Sequence, residues 1–222
     1  MRRDVQRDFY TAAYRAGSPS RSGLLGTLEL HRVDAALRLV PGGVRLLDVG
    51  CGDGALLEKA ADRFQHLTGV DVSDAQLAAA RARLHRRADL VQANVDRGLP
   101  FRSREFDTVT AIAVLSFVFD PVALLEEIKR VLRPGGLLAL EVLNLVYLPR
   151  RLRVLVGQLP AQTSCHGWEG GHLHNFTRPA LLRLLDERGF RVERCTGSGV
   201  LTPLRTWWPG LLLGNVIATA RS

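Results

Sequence analysis

Apolar residues along this chain follow two alternating periods. Compact apolar runs at 44–49, 66–70, 89–93, 106–111 and 137–142 read as strands, and stretches with helical spacing lie at 27–40, 53–63, 74–87, 121–132 and 178–188. A strand followed by a helix, repeated in this way, predicts an α/β fold whose doubly wound, mostly parallel sheet is covered on both faces. The turn residues agree. Pro41-Gly42-Gly43 precedes the first of these strands and Pro134-Gly135-Gly136 the fifth, each where a helix must stop and the chain reverse. Beyond Val142 the pattern loosens: 143–177 carries two prolines, three histidines and a Gly-Trp-Glu-Gly-Gly run, which predicts an irregular insertion. Regularity returns with a helix at 178–188, a strand near 190–196 and an apolar stretch at 211–220. The last two are expected to pair antiparallel and close one edge of a seven-stranded sheet.

Composition narrows the class. With 222 residues, 46% of them hydrophobic, the chain can bury the core of one ordinary domain and is not a disordered tail. No stretch approaches the roughly 18–20 apolar residues that cross a bilayer. The charged start, Met1-Arg2-Arg3-Asp4, lacks the apolar run of a secretory signal, which predicts a cytoplasmic protein. Cys51, Cys165 and Cys195 are odd in number and far apart, so no disulfide framework is expected. The formal charge of +8 is almost wholly arginine, Lys59 and Lys129 being the only lysines. Its densest runs are Arg81 to Arg87 and Arg150-Arg151-Leu152-Arg153. In the first, Leu77, Ala80 and Leu84 keep helical spacing, so the arginines read as a solvated helix face and not as a nucleic-acid footprint.

The most informative segment is Asp48-Val49-Gly50-Cys51-Gly52-Asp53-Gly54, where an apolar strand enters a glycine-rich turn and then a helix. Open α/β sheets bind ligands at such a place. A dinucleotide fingerprint spaces its glycines as G-x-G-x-x-G and leaves the helix N-terminus to pyrophosphate. Here the spacing is G-x-G-x-G, and Asp53 stands where the phosphate would sit; a carboxylate repels it and suits a ligand with an amino group or without phosphate. The second strand ends in Asp71, an acid placed to accept the hydroxyls of a ribose. Its bland alternative, capping the next helix, is better served by Ser73 or Asp74.

These features resemble the class I S-adenosylmethionine-dependent methyltransferases, of the type 11/12 kind. The likeness continues through Asn94-Val95-Asp96, similar to an adenine-binding loop, then Phe106-Asp107-Thr108-Val109 of a fourth strand, and Pro134-Gly135-Gly136. The resemblance implies a Rossmann-like fold with an antiparallel edge strand and S-adenosylmethionine as cofactor, leaving as S-adenosylhomocysteine. It implies Asp48 near the cofactor's amino group, Gly50 and Gly52 against its methionine part, Asp71 on the ribose, Val72, Asn94 and Val95 around the adenine, and Cys51 and Ala111 among the further cofactor contacts. Asn94 replaces the usual aspartate, and its amide oxygen is expected to accept the adenine amino group. One domain is expected over 1–222: an N-terminal helical cap at 1–40, a cofactor-binding core at 41–142, a substrate cap at 143–177, and a C-terminal helix with closing strands at 178–222.

Methyl transfer needs an aligned acceptor and, for a hydroxyl or protonated amine, a base. Many relatives carry an acidic or histidine pair after the fourth strand; the matching positions here are Ser116 and Phe117, which leaves an apolar wall. The insertion supplies polarity instead. His172 and His174 share one face of an extended segment and are the base candidates, against a reading as surface histidines. A zinc site from Cys165, His166, His172 and His174 lacks paired Cys-x-x-Cys spacing, so no metal is expected. Tyr14, Tyr147, Trp168 and Phe117 are the candidate acceptor contacts. Residues 143–157 resemble a segment of the MetW-like branch, whose namesake works with homoserine acyltransferase. That segment reads as a helix packed on the sheet edge, or as a lid or weak peripheral membrane contact. The expected function is methyl transfer to an O or N atom of a small molecule by a monomer or homodimer. Its alternatives are an RNA methyltransferase and a MetW-like regulatory partner.

Overall fold

The computed structural model describes residues 29–157, 173–200 and 207–222. Their main sheet has seven strands in the order β4-β3-β2-β5-β6-β9-β7. The strands are β2 (Gly43–Val49), β3 (Phe64–Asp71), β4 (Asp89–Gln92), β5 (Phe106–Ile112), β6 (Leu132–Leu143), β7 (Arg191–Thr196) and β9 (Asn215–Arg221). From β4 to β6 all pairings are parallel; β9 runs antiparallel to both β6 and β7. The chain's last strand therefore slots between β6 and the edge strand β7, and the antiparallel closure falls where the apolar stretch at 211–220 placed it. A separate ribbon pairs β1 (Glu29–Leu30) with β8 (Gly199–Val200).

Helices cover both faces because strand side chains alternate. On one face, Leu46, Leu67, Leu137 and Ala139 pack under α1 (Arg32–Leu39), α2 (Ala55–Ala60) and α3 (Asp74–Leu84). On the other, Val49, Val109, Leu138, Leu140 and Val142 meet α4 (Pro121–Val131) and α6 (Arg178–Glu187). Between them in sequence, α5 (Leu148–Leu155) buries no residue. A short α7 (Pro209–Leu212) precedes β9. Among the described residues no helix is long and apolar enough to cross a membrane.

Several boundaries differ from the sequence reading, three of them for a visible local reason. The helix expected from 27 starts at Arg32, because the His31 ring nitrogen accepts the Val33 N–H at 3.4 Å as a cap and Glu29–Leu30 pair as a strand. The helix expected to run to 87 stops at Leu84, with His85 and Arg86 in left-handed conformation at φ 44° and 68°. β6 begins five residues before 137. Pro134-Gly135-Gly136 forms a register shift inside that strand, not a turn ahead of it, and Gly135 takes φ +72° there.

Candidate cofactor and acceptor site

Strand order reverses between β2 and β5, and the crevice at their C-terminal ends is where such sheets take ligands. The turn after β2 is stapled to β3: the N–H groups of Gly50 and Cys51 both donate to the Val70 carbonyl, at 2.7 and 3.1 Å. Gly50 has φ +69°, and a Cβ on it would lie 2.4 Å from Val114 Cγ2. Gly52 has φ +53°, with only the Gln76 side-chain oxygen, at 3.9 Å, near a Cβ there. That open space faces a cavity of about 570 Å³, within the usual size range of small-molecule sites.

Two acids set the cavity's chemistry. Asp71 accepts the Gly52 N–H at 2.9 Å on one oxygen and the Ser73 N–H at 2.8 Å on the other, so it ties the β2 turn to the β3 turn. Ser73, not Asp71, caps α3 through the Gln76 N–H. Burial raises the Asp71 carboxyl above its ordinary value, against the lowering effect of those backbone donors. Asp48 is more deeply enclosed and accepts the Thr110 hydroxyl at 2.7 Å. Burial, and secondarily the charge of Asp71, push its carboxyl up to about 7. A positively charged group entering beside these two acids relieves both. The same burial and acids raise the Cys51 thiol, which excludes it as a ready nucleophile.

Of the residues singled out from sequence, Asp48, Gly50, Cys51, Gly52, Asp71, Val72, Asn94, Val95 and Phe117 line the cavity. Others lie elsewhere. Ala111 is wholly buried in the core of β5, and the wall is formed by its successors Ile112, Ala113 and Val114. Tyr147 is off the wall; its ring lies against Gly214 and under the Arg150 guanidinium, 5.4 Å away. His174 is also off the wall. Its Nε2 sits 3.1 Å from the Phe119 carbonyl and its backbone N–H donates to Ser116 O, which fastens it beside the β5–α4 loop that carries Phe117 and Val118. The Asn94 amide oxygen, expected to meet an adenine, accepts the Asp96 N–H at 3.1 Å because the 3₁₀ turn Val95–Arg97 needs a cap. Asp53 does not point a bare charge at the helix start. Arg83 neutralises it at 2.6 Å and reaches Glu58 at 3.0 Å, so this arginine of the 81–87 run is engaged in surface ion pairs. Tyr14, Trp168, His172, His166 and Cys165 lie outside the described residues.

Sequence reasoning missed His31, Arg32, Val33 and Gln76, which complete the wall. Arg32 was hidden inside a helical run read as starting at 27; the cap signature at His31 was the available sign. The finished wall offers acids at the strand ends, a guanidinium at the start of α1 and an apolar slot from Val72, Ala93 and Val95. That donor set fits a zwitterion joined to a ribose and a flat base.

The fold and the character of this cavity are those of a class I methyltransferase, and comparison with known proteins supports that class. Residues 47–140 match the methyltransferase domain family. The ubiquinone biosynthesis O-methyltransferase of Xanthomonas axonopodis pv. citri is 32% identical over 179 residues, 78% of this chain and 72% of that one. Its counterpart from Idiomarina loihiensis is 33% identical over 153 residues, 65% and 60% of the two chains. That from Dechloromonas aromatica is matched over about half its length, 52%. Among solved structures, an S-adenosylmethionine-dependent methyltransferase from Mesorhizobium loti superposes with TM-score 0.65 at 22% identity, covering 85% of this chain and 96% of that one. The cyclase SpnF superposes with TM-score 0.61 at 24% identity over 86% and 79%, so the fold by itself does not fix a reaction. The chain belongs to the class I S-adenosylmethionine-dependent methyltransferase family, with S-adenosylmethionine as its cofactor.

Proposed function

We propose that this protein transfers a methyl group to a hydroxyl oxygen of a small, largely apolar acceptor. The observation that carries the reading is one cavity wall holding the buried acid Asp48 and the half-buried Asp71 together with the apolar Phe117 and Val118. The relatives' names support oxygen as the receiving atom. Asp48 would hold the cofactor's ammonium, Arg32 its carboxylate, Asp71 the ribose hydroxyls, and Val72 and Val95 the faces of the adenine. When bound, the cofactor supplies a methyl group on a positively charged sulfur.

The chain's own residues then align the acceptor and hold its proton. Phe117 and Val118 exclude water beside the reacting oxygen. A carbonyl oxygen only accepts, so the contact to Phe119 requires the proton on Nε2 of His174 and leaves Nδ1 as the basic nitrogen. His174 is the proposed base. An RNA acceptor is disfavoured because Arg83, Arg130, Arg133, Arg188 and Arg221 are engaged in ion pairs with acids of the same chain. The exposed side chains of α5, with Arg151 and Arg153 among Leu152, Val154 and Leu155, support a weak peripheral contact with an anionic membrane surface.

The test supplies methyl-labelled S-adenosylmethionine with matched phenol, amine and thiol acceptors and identifies the product by mass. Label in the phenol ether supports the reading; label confined to an amine, or to tRNA, contradicts it.

A further inference from the structure

Glu141 is a buried carboxylate that the site as described so far does not use. It lies near the C-terminal end of β6, 4% exposed, between Ile112 of β5 and Ile217 of β9 in register. Its side chain shares the sheet face that α1 covers, since Ala139, two residues earlier, packs there and α1 residues Ala35 and Ala36 cluster with Ile217. Asn215 donates to one of its oxygens at 2.9 Å, and the other oxygen is buried with no hydrogen-bond partner among the described residues. Such a group costs several kcal/mol of desolvation unless something compensates it.

Burial still raises the Glu141 carboxyl above its ordinary value, and the cations Arg32 and, less strongly, Arg150 offset that only in part. Arg150 is already committed: its guanidinium donates to the carbonyls of Asn144 and Gly214, both at 2.7 Å. Arg32 opens α1 and forms part of the cavity wall. The wall and Glu141 also touch through the backbone, because Ala113, a wall residue held at φ +61°, donates its N–H to the Glu141 carbonyl at 3.1 Å.

We propose that Glu141 is a positioning residue of the cofactor site: from behind Ile112 and Ala113 it holds the Arg32 guanidinium at the cavity wall, where that cation meets the carboxylate of the cofactor's methionine part. The proposal rests on the reading of the cavity given above. It makes cofactor affinity depend on a residue that touches no cofactor atom, and only for ligands that carry the amino-acid portion.

The test measures binding of S-adenosylhomocysteine and of 5′-methylthioadenosine, which lacks the amino-acid portion, by calorimetry on the full chain. Glu141→Gln keeps an oxygen for Asn215 and removes only the charge. It is expected to weaken S-adenosylhomocysteine about tenfold, the effect of misaligning one charge-assisted hydrogen bond, and to leave 5′-methylthioadenosine within about twofold. Arg32→Met gives the same selective loss, and the double variant is no weaker than Arg32→Met alone. Urea unfolding of the ligand-free Glu141→Gln chain shows no loss of stability, because a desolvated charge has been removed. Equal weakening of both ligands, an unchanged S-adenosylhomocysteine affinity, or additive losses in the double variant would each overturn the proposal. If the native chain binds neither ligand, the reading of the cavity itself fails, a result distinct from those three.

Discussion

The strand-end half of the described molecule, where the cavity lies, and its outer half are built differently. At the ends of β2 and β3, backbone N–H groups of Gly50, Cys51, Gly52 and Ser73 are all satisfied by Val70 or Asp71, and of the two acids on the cavity wall Asp48 is buried and Asp71 half-buried. By contrast α5, which adds no residue to the cavity wall, buries nothing, and Leu155 is 80% exposed and Trp207 95% exposed. The first is a cradle of backbone that tolerates little change; the second is surface, where change is cheap.

Substitution at Gly50 breaks the rigid half most severely. Gly50→Ala combines a left-handed backbone with a Cβ driven into Val114, and is expected to cost about 2–4 kcal/mol in urea unfolding and to abolish cofactor binding. Gly135→Ala, at a similar φ of +72° but with nothing within 4 Å, should cost only about 1–2 kcal/mol. Equal losses would show that strain, and not the close approach to Val114, governs the turn.

The pH dependence is next in size. The folded state raises the Asp48 carboxyl from 3.8 to about 7, so it binds this proton more tightly than the unfolded chain does. This group's contribution to the stability of the ligand-free protein is therefore fully present below about pH 4. It is lost as the pH climbs to about 7, and no further change follows above that. Cofactor binding runs the other way: an ammonium needs the carboxylate, so affinity rises with pH up to about 7 and then levels, by at most about tenfold per pH unit. Asp48→Asn is expected to flatten both profiles.

On the outer side, His174→Ala should lower kcat about 10²-fold while leaving the cofactor dissociation constant unchanged. A parallel loss in both would place His174 in the fold and not in the chemistry. Arg83→Ala is the smallest expected effect. Its pairs with Asp53 and Glu58 are surface pairs with side chains 38–51% exposed, so stability should move by no more than about 1 kcal/mol and cofactor affinity by less than about twofold.

The contrast between the two halves also explains what was legible in the sequence. Asp48, the glycine turn and Asp71 announce themselves because a strand, a fixed glycine spacing and an acid at the next strand end leave few alternatives. Helix ends were harder. Arg32 escaped notice because a histidine cap and a two-residue strand were absorbed into a longer apolar period. The early start of β6 was obscured by Pro134, a residue that ordinarily interrupts strands and here sits at a register shift. Ala111, implied by the resemblance as a cofactor contact, and Tyr147, a candidate acceptor contact, lie off the wall, because Ala111 is packed in the core of β5 and Tyr147 docks on Gly214. Glu141 gave no sign at all: a lone acid in an apolar strand has meaning only once Asn215 and Arg32, far apart in sequence, are brought to it.

The central claim is that Asp71 joins the two strand-end turns and faces the ribose of the cofactor. Calorimetry of S-adenosylmethionine and S-adenosylhomocysteine on the native chain and on Asp71→Ala tests it most directly. Micromolar binding to the native chain that weakens at least about tenfold in the variant, or about 1.4 kcal/mol, is the predicted result. Binding that is unchanged in a folded Asp71→Ala chain, or no binding of either ligand to the native chain, would contradict it.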